Sequence, residues 1–174
     1  MINPSLQREL FTPETNIFVI LDGASVSGLL GKLHTEEPEY VCLYQGELLP
    51  DMAEVAPYLV HLERRSRFAE WILSQGWGNH WGIFALTENK VDMKQARKHF
   101  RTFLKVETAD GLRLSFRYYD PSVLRDYLPI CNEAQTQAIF GPVIAYFAES
   151  TDANLALRFT VKNGLPYSET VRLD

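Results

Sequence analysis

The stretch Ile17-Phe18-Val19-Ile20-Leu21-Asp22-Gly23-Ala24-Ser25, with the short run Tyr40-Val41-Cys42-Leu43-Tyr44 behind it, decides the fold class. Its first five residues are an unbroken β-branched and aromatic run, the composition of a strand covered on both faces. Asp22-Gly23-Ala24 stops it. Ser25 stands where a helix cap is expected, Val26, Leu29, Leu30 and Leu33 form one helical stripe, and Glu36-Glu37-Pro38 closes the helix. Strand, helix and strand in this order predict a parallel pair joined by a right-handed crossover. The fold class that follows is α/β, with a mixed, partly parallel sheet of about five or six strands flanked by helices.

The turn also bounds the chemistry. Asp22 to Gly28 has neither the glycine spacing of a dinucleotide fingerprint nor the Gly-Lys-Ser/Thr of a P-loop, so no nucleotide cofactor is expected. Asp22 reads as a turn or cap carboxylate.

Downstream, Gly46 to Met52 reads as a loop and Val55 to Leu62 as a strand, in which Pro57 marks an edge or a strand start. Ser66 to Gln75 is a helix with Phe68, Trp71 and Ile72 on its apolar stripe, and Gly76 is placed to close it in a left-handed conformation. Trp77 and Trp81, interleaved with Gly76, Gly78 and Gly82, are expected to fill the junction between this helix and the next strand. Asp92 to Lys105 has a two-sided helical pattern. Met93, Ala96, Phe100, Phe103 and Leu104 make the apolar stripe, and Lys94, Arg97, Lys98, Arg101 and Lys105 gather on the remaining arc. That cationic face is the candidate partner-binding surface, suited to an acidic protein patch.

Leu112 to Tyr119 alternates as a half-buried strand should. Asp120 is a helix N-cap with Pro121 at the first helical position, Val123, Leu124, Tyr127 and Leu128 form the core stripe, and Phe140-Gly141-Pro142 turns the chain into Val143 to Ala148. Ala156 to Val161 and Tyr167 to Leu173 are strands joined by Asn163-Gly164 as a C-terminal β-hairpin. The organisation expected is an N-terminal arm over 1–15, one α/β domain over 16–149, and hairpin strands over 150–174 packed on the same domain.

A chain of 174 residues with 46% hydrophobic content can bury a sizeable core. Its longest apolar runs are far shorter than the roughly 20 residues of a membrane helix, and its first residues lack a basic and then apolar leader pattern. A soluble, cytoplasmic protein is expected, with Cys42 and Cys131 as free buried thiols. The net charge of −5 is unevenly spread, since residues 1–63 hold 2 Lys+Arg against 10 Asp+Glu and residues 64–117 hold 11 against 5. An acidic chain without a basic-aromatic motif argues against nucleic acid. The 4 histidines show no metal-binding spacing, and no serine or cysteine sits in a nucleophile motif. No metal and no other cofactor is expected. The one catalytic alternative is a small hydrolase-like site assembled through space from His80 or His99 with Asp120.

Several of these features occur in an order that resembles a known family. Leu21-Asp22-Gly23-Ala24, Pro57 within Val55 to Val60, Gly76-Trp77-Gly78 with Trp81-Gly82, His99-Phe100-Arg101, Arg117 with Asp120-Pro121, and Phe140-Gly141-Pro142 are similar to the type VI secretion effector chaperone or adaptor family, also known as domain of unknown function 4123. The resemblance spans roughly residues 16 to 149. It implies a non-enzymatic chaperone or adaptor that binds a secreted toxin effector in the cytoplasm of a Gram-negative bacterium and helps load it on the VgrG spike. Those two proteins are the implied partners, with no role for nucleic acid or membrane. The motif residues Asp22, Gly23, Pro57, Trp77, Gly78, Trp81, Gly82, Arg117, Asp120, Pro121, Gly141 and Pro142 read as structural.

Overall fold

The computed structural model describes residues 3–173. The run that opens the domain forms β1 (Thr15–Asp22), and the first helix behind it is α2 (Leu29–Glu36), followed by β2 (Tyr40–Cys42). A short helix α3 (Pro50–Val55) leads into β3 (Pro57–His61), and α4 (Arg67–Trp71), continued by a π-helical turn over Ile72–Gly76, leads into β4 (Gly82–Glu88). The seven-stranded main sheet has the order β2-β3-β1-β4-β7-β8-β9, where β7 is Val143–Glu149, β8 is Leu155–Lys162 and β9 is Leu165–Arg172.

Every neighbouring pair in that sheet is antiparallel, which corrects the mixed, partly parallel sheet expected from sequence. The crossover is present, since β1 and β2 are each antiparallel to β3 and therefore run the same way. β3 has slipped between them. The reason lies in burial: Pro57 to Val60 are all buried, whereas β2 has three residues, none of them buried. An inner strand must be apolar on both faces, and β3 meets that demand where β2 meets only that of an edge. β3 and β4 in turn run the same way with β1 between them. Apart from the short α3 between β2 and β3, the first four strands thus form a split β-α-β-β-α-β arrangement. Pro57 is the first residue of an inner strand, a position where a missing N–H is tolerated.

Alternation along β1 sorts the core onto two faces. Ile17, Val19 and Leu21 pack with Leu29, Leu33 and Phe68 on one side. Phe18 and Ile20 pack with Phe100, Tyr118, Leu124 and Ile139 on the other, beneath α5 (Met93–Arg101), α6 (Pro121–Tyr127) and α7 (Glu133–Phe140). The first residues, expected as a loose arm, form α1 (Pro4–Leu10), capped by the Asn3 side chain on the amides of Ser5 and Leu6. Leu6 and Leu10 are fully buried, and at about 1.5–3 kcal/mol each their burial ties the helix to the first core face.

The alternating run around Leu114 does not enter the main sheet. β5 (Lys105–Glu107) and β6 (Arg113–Ser115) form a separate two-stranded ribbon with every residue exposed. The buried residues of that run are Tyr118 and Tyr119, in the turn beyond the strand. At the far edge, Asn163 and Gly164 both take positive φ in the two-residue turn between β8 and β9. Among the described residues, no helix is long and apolar enough to cross a membrane.

Candidate functional site

Two buried acids lie at one end of the sheet, where β1 finishes at Asp22 and β7, running the same way, finishes at Glu149. Asp22 accepts from the Ala24 amide at 3.1 Å, from the Ser25 hydroxyl at 2.8 Å and from the Arg117 guanidinium, so its charge is met on three sides. Ser25 therefore braces the turn. It does not cap α2, whose N-cap is Gly28. Gly23 donates to the Ala56 carbonyl at 3.1 Å, and a Cβ there would stand 2.4 Å from that oxygen. Gly82 is tighter still, with Ile20 O at 2.1 Å from the Cβ position. Only glycine fits either place.

Glu149 accepts from the His80 amide at 3.1 Å, with the His80 ring Nδ1 at 3.6 Å, while Arg125 donates to its backbone carbonyl. Burial pushes the Glu149 carboxyl above the usual glutamate value, against the opposing pull of the His80 amide and ring, the Gly78 amide and Arg125. The tryptophans close the space beside it. Trp81 lies 4.7 Å from Trp71 between ring centres, and Trp77 donates its indole N–H to the Ala153 carbonyl at 2.9 Å. The cavity left there is about 10 Å³, about the least that holds one water. Gly76 has no positive φ; it is glycine because a Cβ would meet the Trp81 ring at 2.7 Å, and the left-handed residues of this loop are Gly78 and His80.

Among the described residues no hydrogen bond or ion pair joins His80 or His99 to Asp120. Asp120 spends its carboxylate on the amide and hydroxyl of Ser122, capping α6 behind Pro121. His99 is bonded through Nε2 to the Ile139 carbonyl at 2.9 Å, and burial pushes its pKa down. Its ring fills the space over Gly141, where a Cβ would stand 2.7 Å away and φ is +45°. Pro142 follows and leads into β7. Among the described residues, no group of His, Cys, Asp and Glu converges into a metal-holding cluster.

The cationic arc is divided by the structure. α5 opens with a capping box between Asp92 and Gln95 and ends at Arg101, four residues before the expected Lys105. Lys94, Arg97 and Lys98 remain on its outer side and form no ion pair with the described residues. Arg101 turns inward, donating from Nε to the Leu43 carbonyl at 3.0 Å and from Nη2 to those of Cys42 and Tyr44 at 2.9 and 3.5 Å. Lys105 opens the ribbon. Arg101 and Lys105 meet again in the lining of an open cleft of about 560 Å³, together with Leu43, Tyr44, Leu48, Met52 and Leu104.

A family model described as Domain of unknown function (DUF4123) matches residues 17–138, more than half of the chain. The chain belongs to that family. No curated protein and no solved structure matches it. The DUF4123 match runs from β1 into α7 and so holds the cleft, Asp22 with Arg117, and the tryptophan loop, while Gly141, Pro142, Glu149 and the last three strands lie beyond it. Within it, residues far apart in sequence meet as Asp22 with Arg117, Gly23 with Ala56, and Gly82 with Ile20. Sequence reasoning missed the partnership of Glu149 with His80 and the wall formed by α3. The second had a signal: Pro50 follows Leu49 where a first helical turn begins, the favoured place for proline in a helix.

Proposed function

We propose that this chain is a non-enzymatic cytoplasmic chaperone or adaptor that binds a toxin effector of a type VI secretion system and helps load it on the VgrG spike. Membership of the DUF4123 family and the succession of motifs from Asp22 to Pro142 support the reading. The observation that carries it is a division of labour. The motif residues make their contacts inside the domain, as Asp22 does with Arg117, whereas an open cleft of about 560 Å³ presents cations that have no carboxylate partner among the described residues. An adaptor requires such a surface and requires no nucleophile or tuned acid and base.

Deleting the gene in its native bacterium tests this. Secretion of one effector should fall to background while that effector remains encoded and secretion of other effectors continues. Complementation with the full chain should restore it, and the tagged chain should co-purify with that effector and with VgrG. Undiminished secretion of every effector would contradict the proposal.

A further inference from the structure

The cleft beside Arg101 combines two chemistries that a partner must match together. Arg101 is half-buried, and its three bonds use only Nε and Nη2 and end on carbonyl oxygens, so dipoles satisfy its donors while its unit charge stays uncompensated. Lys105 beside it is exposed and likewise has no ion pair among the described residues. Arg101 and Lys105 are the charged residues of the cleft lining, so it carries two positive charges and no negative one. The rest of the lining is largely apolar, with Tyr44, Leu48, Met52 and Leu104, and Met52 is 44% exposed. A volume of about 560 Å³ lies within the range of ligand sites, and its open form admits side chains carried on a chain.

We infer that this cleft docks an acidic peptide segment of the partner protein, seating a large aliphatic or aromatic side chain against Leu48 and Met52 while a neighbouring carboxylate faces Lys105 and Arg101. The inference rests on the adaptor reading for the identity of that partner and deepens it by naming the surface and the chemistry. Charge complementarity selects an acidic segment over a basic one, and apolar burial supplies the affinity that rim charges alone do not. A nucleic acid strand fits less well. Its phosphates would leave Leu48, Met52 and Leu104 without a partner, and stacking of successive bases calls for several aromatic platforms where Tyr44 is the single aromatic residue of the lining.

The test is a random peptide library selected on the immobilised full chain, followed by titration of one enriched, labelled peptide. The expected peptides place Asp or Glu next to Leu, Met, Ile or Phe. The double variant Met52→Asp, Lys105→Glu should weaken that peptide about tenfold, and Lys105→Glu alone a few-fold with the difference shrinking at high salt. Both side chains are exposed, and Lys105→Glu alone keeps the test decisive if the double variant fails to fold. Enriched peptides without acidic residues would overturn the inference, as would equal binding by Lys105→Glu at low salt or displacement of the peptide by an oligouridylate probe. The adaptor reading fails separately. Peptide binding at the cleft with unchanged effector secretion in the deletion strain would leave the docking site standing and remove the function proposed for it.

Discussion

Arg101 and Arg117 leave the same basic stretch and meet opposite circumstances. Arg117 reaches the buried carboxylate of Asp22, which also holds a hydroxyl and an amide, so that end of the sheet is closed in charge. Arg101 reaches three carbonyls at the end of β2 and leaves its charge facing an open cleft. The lesson is that burial with a matched partner marks residues that serve the fold, while excess charge beside exposed apolar surface marks residues available to something else. Substitutions at the two ends should therefore divide into those that change stability and those that change binding.

The largest effect is expected at Gly82. Its Cβ position lies 2.1 Å from Ile20 O between two central strands, so Gly82→Ala should cost about 3 kcal/mol or more, read as the loss in urea unfolding. Gly46, near the cleft, has φ of +84° and nothing within 4 Å, so Gly46→Ala should cost only about 1 kcal/mol from backbone strain. Equal losses at the two glycines would erase the contrast between a closed end and an open one.

Arg117→Ala comes next. Removing one member of a fully buried pair typically costs about 3–5 kcal/mol, but the Arg117 side chain is 48% exposed, which brings the expected loss to about 2 kcal/mol. Arg101→Ala should cost about 1 kcal/mol, since water entering the open cleft can satisfy the freed carbonyls. A larger loss at Arg101 than at Arg117 would reverse the assignment of roles.

Glu149 gives a smaller effect with a definite sign. Its folded pKa is raised by burial, so between the ordinary glutamate value and the raised one the folded state holds more protons than the unfolded state. Stability contributed by this residue therefore falls as pH rises through that window and changes no further below it. Glu149→Gln keeps an acceptor for the His80 amide and removes the titration. The stability of the parent chain relative to this variant should decline as pH rises through the window, measured by chemical unfolding at a series of pH values. A rise would contradict the burial argument.

The smallest effect on stability belongs to the outer side of α5. Converting Lys94 and Lys98 to Glu should leave the unfolding free energy within about 0.5 kcal/mol, because both side chains are exposed and lie off the apolar stripe. Capture of the effector should nevertheless slow, and more at low salt.

β1 and the stripe of α2 were legible because both carry strong local signals, whereas the cap of α2, the helix α1 and the helix α3 were not. Asp120-Pro121 and Asn163-Gly164 likewise declare their structures through local chemistry. Strand order was not legible. The insertion of β3 between β1 and β2 depends on a comparison of burial among three distant segments, and a β-α-β pattern reads alike with or without an inserted strand. Leu112 to Ser115 misled for a related reason. Alternation sets which side chains share a face, but not whether that face meets a core, and Leu112 and Leu114 are 61% and 50% exposed. Of the candidate site, the positive charges were readable on α5, whereas the inward turn of Arg101 required the end of β2, 57 to 59 residues away, to be in place.

The central claim is that the cleft, and not the closed end of the sheet, meets the effector. The most direct measurement is the affinity of the purified chain for that effector by titration calorimetry, taken for Met52→Asp, Lys105→Glu and for Arg117→Ala beside the parent. The account predicts that the cleft variant unfolds close to the parent midpoint and loses about tenfold or more in affinity, while Arg117→Ala unfolds earlier and, where folded, binds as the parent does. A cleft variant with parental affinity, or an Arg117→Ala chain that is folded and fails to bind, would contradict it.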